Sequence, residues 1–163
     1  MGGSSGSLEI NRLIKESLLD LTQYYTVVHQ TGPNEGIIPD TSAKYKPYIY
    51  FKDELPHIIA AADLIICRGG AGTIWECAFL EKPMIIIPLM GKGTRGDQVE
   101  NARIFEKAGQ AINFSDNKNA ERLAFVVAGF ASGEPSIKDA YKGFIKKDAC
   151  EYIANIVMEN IRG

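Results

Sequence analysis

The sequence predicts an α/β fold: a parallel sheet with helices packed on it. Short β-branched runs alternate with helical patterns through the middle of the chain. One of those runs, Met84-Ile85-Ile86-Ile87-Pro88, is apolar at every position before its proline, as a strand buried on both faces must be. Composition agrees. The chain has 163 residues, 45% hydrophobic and 23% charged, enough for one ordinary domain that buries about two-thirds of its unfolded surface.

Each element follows in order. Ile10, Leu13, Ile14, Leu18 and Leu21 recur at helical spacing, so Leu8 to about Leu21 reads as an amphipathic helix. Tyr25 to His29 is a strand, stopped by Gly32-Pro33. Tyr48 to Phe51 is a second, and Asp53 is placed to cap a helix over Leu55, Ile58, Ile59 and Ala62. Leu64 to Cys67 is a third strand, followed by a helix from about Gly72 to near Leu80. Met84 to Pro88 is the fourth strand. A helix from about Gly96 to Ala108 then stops at Gly109, a normal C-terminal glycine. Gln110 to Phe114 is a shorter-patterned fifth strand. The tail from Asn119 reads as helical, with Tyr152, Ile153, Ile156 and Val157 on one face.

Several function classes fall away. The net charge is −2, with no block of like charge, so no nucleic-acid or polybasic membrane footprint is expected. The longest apolar run, Met84 to Met90, is far short of the ~20 residues that span a bilayer, and no signal-like segment opens the chain. Cys67, Cys77 and Cys150 form no CxxC pair and read as small buried thiols in a reducing, cytoplasmic compartment. With His29 and His57 as the only histidines and no HExxH motif, neither a metal nor a cofactor is expected. Composition leaves the opening Met1-Gly2-Gly3-Ser4-Ser5-Gly6-Ser7 with two readings. One is an expression linker; the other is a phosphate-cradling turn lacking the strand that normally precedes it.

Two segments have the composition of a binding site. Cys67-Arg68-Gly69-Gly70-Ala71-Gly72-Thr73-Ile74-Trp75-Glu76 joins a buried strand to a helix. Gly69, Gly70 and Gly72 let backbone N–H groups approach a ligand and adopt positive φ, and the helix directs its unpaired N–H groups there. With the Arg68 charge and the Thr73 hydroxyl, this is an anion site, suited to phosphate or diphosphate. A ligand-free tight βα turn is the plainer alternative. No GK[ST] and no clean GxGxxG follows, which argues against an ATPase or a plain NAD site. Glu76, one turn further, could accept from ribose hydroxyls or simply favour the helix dipole. Trp75 suits a core better than a stacking platform. The second segment, Pro88 to Gln98, leaves the most buried strand. Its Asp97 and Gln98 would cap the next helix and offer acceptors and an amide to sugar hydroxyls.

These residues, and their order, resemble the C-terminal, donor-binding domain of GT-B glycosyltransferases. The resemblance is closest to the bacterial UDP-N-acetylglucosamine:lipid-linked muramyl-pentapeptide transferases, the MurG family. That family's GGSxG turn is matched by Gly2 to Gly6, its HQTG strand end by His29 to Gly32, and its CRSGAxTxxE element by Cys67 to Glu76. A proline-to-QxxNA element corresponds to Pro88 to Ala102, with an insertion around Gly93. A KAG turn matches Lys107 to Gly109, and a closing DAxxxIA helix matches Asp148 to Ala154. Asp97 stands where glutamine is common in the family. The resemblance favours a native glycine turn at the start.

What the resemblance implies is a Rossmann-like half that holds UDP-GlcNAc, covering residues 1–163 as one donor-binding domain. Ser4 and Thr73 would contact the diphosphate, with Arg68, Gly69, Gly70, Ala71 and Gly72 around it. Glu76 would take the ribose, Lys52 would offer backbone near the uracil, and Asp97 and Gln98 would face the N-acetylglucosamine. The family inverts at the sugar and needs no metal at the diphosphate. The acceptor domain, which binds the lipid-linked substrate and supplies the base, has no counterpart here, so no catalytic residue is assigned. The chain is expected to be inactive alone, as a fragment or as the donor half of a split enzyme. It would meet the inner face of the plasma membrane only through that missing half. The rivals are the donor half of another UDP-sugar transferase, of glycolipid or natural-product type, and a non-catalytic nucleotide-binding module with a membrane partner. In a sheet of order 3-2-1-4-5-6 the missing strand is the first, so a slot is expected between the Tyr25 and Leu64 strands.

Overall fold

The computed structural model describes residues 1–3, 5–33, 43–91, 95–132 and 157–158. Ser4, Cys150 and most of the predicted C-terminal helix lie outside them. The order is α1 (Leu8–Tyr24), β1 (Val27–Gln30), β2 (Tyr45–Tyr48), α2 (Leu55–Ala61), β3 (Ile65–Cys67), α3 (Ala71–Phe79), β4 (Met84–Ile86), α4 (Asp97–Lys107), β5 (Ala111–Asn113) and α5 (Ala120–Ala131). All the strand pairs are parallel: β1 with β2, and β3, β4 and β5 in that order. This is a Rossmann-like half-domain.

β1 and β3 belong to separate ladders, as the expected slot requires. The first residue stands beside β3: the Met1 amine donates to the Ile66 carbonyl at 2.6 Å, and the Arg68 N–H donates to the Met1 carbonyl at 3.3 Å. Those two bonds are the pattern of a parallel bridge. On the other side, the Gln30 side-chain amide donates to the Gly3 carbonyl at 2.9 Å.

The core lies on both faces of β4. Met84 and Ile86 pack with Ile59, Ile74, Cys77 and Phe105 from α2, α3 and α4. Ile85 and Ile87 pack with Ile10, Leu13, Leu18 and Leu123 from α1 and α5. All four β4-region side chains are fully buried, each worth about 1.5–3 kcal/mol of transfer free energy.

Four expectations need correction. The second strand is Tyr45–Tyr48, not Tyr48 to Phe51. Tyr48, Ile49 and Tyr50 are about half exposed, whereas Tyr45 is fully buried. Pro47 is tolerated because β2 is an edge strand, where its missing N–H breaks no ladder. Asp53 does not cap α2: the cap position is Glu54, without a side-chain bond, and Pro56 supplies the preset φ of the first turn. Asp97 is the first residue of α4 rather than its cap; Gly96 holds the cap position at φ 78°. Trp75 is 48% exposed, with its ring edge-on to Phe105 at 5.4 Å, rather than buried in the core. Among the described residues no helix is long and apolar enough to cross a membrane, and no cluster of His, Cys, Asp and Glu could hold a metal.

Candidate functional site

A cleft of about 610 Å³ opens where α1 and α3 begin. It is lined by Gly2, Gly3 and Gly6, by Ser7 and Glu9 of the α1 start, by Arg68, Gly70 and Thr73, and by Gln98 of α4. Two helix amino ends therefore meet at one cavity. Glycine makes the approach possible at one point above all. Gly6 has φ +76°, and a Cβ there would lie 2.3 Å from the Thr31 carbonyl, so the turn could not close against the end of β1.

The two amino ends differ. At α1, the Ser7 hydroxyl accepts the Ile10 N–H at 3.3 Å. At α3, the cap residue is Gly70, which has no side chain to offer. The first N–H groups of α3 are thus left to solvent or to a ligand, with the dipole's positive end behind them. Thr73 sits in this first turn and faces the same cleft.

The glycines of the loop serve this arrangement otherwise than expected. None of Gly69, Gly70 or Gly72 has positive φ. Gly69 is needed for packing: a Cβ would come 2.5 Å from the Gln98 carbonyl, and the Gly69 carbonyl accepts from the Asn101 amide at 2.9 Å. Gly70 and Gly72 have open space where a Cβ would be.

Arg68 is the best-anchored side chain at the cleft. Its Nη1 donates to Glu9 Oε2 at 2.5 Å and to the Ile87 carbonyl at 3.0 Å, and its Nη2 donates to Ser7 Oγ at 2.6 Å. Lys118 reaches the same carboxylate, with Nζ 3.1 Å from Glu9 Oε1, and also donates to the Pro88 carbonyl at 3.0 Å. Burial pushes the Glu9 carboxyl up, but the bonds and charges of Arg68 and Lys118 outweigh it and hold it below the usual range. Gln98 Oε1 accepts the Leu89 N–H at 3.0 Å, which fixes the loop leaving β4.

The structure thus brings Arg68, Gly70, Thr73 and Gln98 to one cavity. Ala71 and Gly72 stand exposed in the first turn of α3, and Gly69 backs onto α4. Glu76 and Asp97 are exposed on α3 and α4. Lys52 is exposed too, and its N–H donates to Glu54 Oε2 at 3.1 Å. Ser7, Glu9 and Lys118 were missed. Ser7 carries the cap-residue signal and Glu9 the first-turn acid signal, but nothing local marks Lys118.

The buried groups nearby are structural. His29 Nε2 lies 2.9 Å from Asn11 Oδ1 and Nδ1 lies 2.9 Å from the Tyr45 hydroxyl. Burial, and then the charge of the Met1 amine, push the imidazole down to about 4, so it is neutral at pH 7. Burial pushes the Cys67 thiol up to about 11, opposed by the same amine, and it is no nucleophile. His57 is exposed on α2.

The sequence profile of the glycosyltransferase family 28 C-terminal domain matches residues 1–153. Two curated relatives carry the name UDP-N-acetylglucosamine--N-acetylmuramyl-(pentapeptide) pyrophosphoryl-undecaprenol N-acetylglucosamine transferase. That of Treponema denticola is 38% identical over 88% of this chain and 46% of its own length. That of Shouchella clausii is 37% identical over 99% of this chain and 46% of its own. The chain thus spans about half the length of these relatives. Among solved structures, the glycotransferase of kitacinnamycin superposes with a TM-score of 0.69 at 23% identity, over 88% of this chain and 36% of that one. The spinosyn forosaminyltransferase SpnP gives 0.66 at 18%, over 86% and 35%. At such identities the likeness is one of fold.

Proposed function

The chain belongs to the glycosyltransferase family 28 C-terminal domain, and on that premise we propose that it is the UDP-GlcNAc-binding half of a peptidoglycan N-acetylglucosaminyltransferase. The observation that carries the reading is the cleft where the amino ends of α1 and α3 converge, beside Arg68 and Thr73. Such a site suits a diphosphate. As the sugar leaves, charge develops on the departing UDP, and preset N–H donors stabilise it without reorganising. No metal is needed for that step. In this reading Ser4, Thr73 and the N–H groups of Ala71 and Gly72 face the diphosphate, Glu76 the ribose, and Lys52 the base. Asp97 and Gln98 take the sugar.

The reaction inverts the anomeric centre, and its acceptor is lipid-linked. In this reading the base that activates the acceptor comes from a second half; His29 is buried and neutral, and His57 is exposed on α2 and is not among the residues lining the cleft. The chain alone binds donor and does not turn over, and it reaches the cytoplasmic face of the membrane through that second half. Calorimetric titration with UDP, UDP-GlcNAc and UDP-glucose, each with magnesium and with EDTA, tests this. UDP-GlcNAc is expected to bind best and equally in both conditions. No UDP binding, or binding only with magnesium, would overturn it.

A further inference from the structure

Glu9 is an anomaly in the site just proposed. Its carboxylate lines a cleft suited to an anion, yet it carries the charge an anion would meet as repulsion. The structure shows what neutralises it. It accepts from Arg68 at 2.5 Å and from Lys118 at 3.1 Å, and both cations are only 13% exposed. Two cations so enclosed need a counter-ion, and Glu9 is the one they share.

The two cations are placed differently. Arg68 lines the cleft together with Glu9 and Ser7, whereas Lys118 is held from behind by the Pro88 carbonyl. If Arg68 turned toward a ligand, Glu9 would still be paired by Lys118 and would not be left as a lone, partly buried charge. One carboxylate with one partner could not release it so cheaply.

We propose that Glu9 is an internal counter-ion that competes with the diphosphate for Arg68, with Lys118 holding Glu9 when Arg68 changes partner. This rests on the donor-binding reading above and adds a residue that sets its anion affinity. Arg68 passes from Glu9 in the empty site to phosphate oxygen in the filled one. Release of UDP is aided by the return of Arg68 to Glu9.

The test is titration of UDP and of uridine into the 163-residue chain and its variants, with circular dichroism to confirm folding. Glu9→Gln is expected to bind UDP on the order of tenfold more tightly, with a steeper salt dependence and an unchanged affinity for uridine. The gain should vanish in Glu9→Gln/Arg68→Gln. If Glu9→Gln does not fold, Glu9→Asp keeps the charge but withdraws it by one methylene, and a smaller gain of the same sign is expected. Unchanged or weaker UDP binding in a folded Glu9 variant, or a gain that survives loss of Arg68, would overturn the proposal. If the wild-type chain does not bind UDP at all, both the donor-binding reading and this inference fail. If it binds UDP and the variants show no gain, only the inference fails.

Discussion

His29 should make the fold lose stability in weak acid well before its carboxylates protonate. The ring is 3% exposed and both nitrogens are occupied, Nε2 by Asn11 and Nδ1 by Tyr45. Asn11 donates its amide to the Thr31 carbonyl at 2.8 Å, which leaves Oδ1 to accept from His29 Nε2–H. Nδ1 is therefore the acceptor of the Tyr45 O–H, and the neutral ring is satisfied. Burial lowers the folded-state value from 6.5 to about 4. Between those two values the unfolded chain binds the proton and the folded chain does not, so stability falls as pH falls through that window. Above pH 6.5 the contribution is fully present; below about pH 4 it is gone. At about 1.4 kcal/mol per unit, the loss is about 3 kcal/mol over the window, and about 2 kcal/mol of it comes by pH 5. Urea melts at pH 7, 6 and 5, with the His29 ring followed by NMR, measure it directly. A ring midpoint near 6.5, or stability that is flat from pH 7 to 5, would refute the argument.

Three further outcomes follow, the first from the proposed donor site and the others from the fold. Glu76→Ala should weaken UDP binding by on the order of 2–3 kcal/mol through loss of ribose hydrogen bonds; unchanged affinity by calorimetry would remove Glu76 from the site. Gly6→Ala should be severely destabilising, since Gly6 has φ +76° and a Cβ there would lie 2.3 Å from the Thr31 carbonyl. Gly70→Ala meets nothing within 4 Å and should melt within about 1 kcal/mol of wild type, so equal melting of the two variants would contradict the glycine-turn account. Appending roughly 5–6 β-branched residues before Met1 should continue its bridge to β3, raising both the melting temperature and UDP affinity. An extension that changes neither would show that β1 and β3 do not flank one slot.

Much of the fold was legible because its signals are local. The run Met84 to Ile87 is apolar on every side, and a strand that alternates between two buried faces has no other use for such a run. α1 declared itself by spacing, and Gly109, at φ +68°, ends α4 as a C-terminal glycine should. The strand-to-helix turn that brings Arg68, Gly70 and Thr73 to one cleft was legible for the same reason: its glycine-rich segment is contiguous. What tertiary structure decided is whatever depends on partners far away in the chain. The aromatic stretch Tyr48 to Phe51 looked like the second strand, but pairing with β1 selects Tyr45–Tyr48 and buries Tyr45 under α1. Burial and register, not local propensity, choose a strand's bounds. Gly69 looked like a ligand-facing glycine and is instead the point where α4 crosses closest. Glu9 and Arg68 are 59 residues apart, and Lys118 comes from the other end of the sheet. An ion network of that span has no period and no motif; it exists only because parallel strands deliver their carboxyl ends to one edge of the sheet.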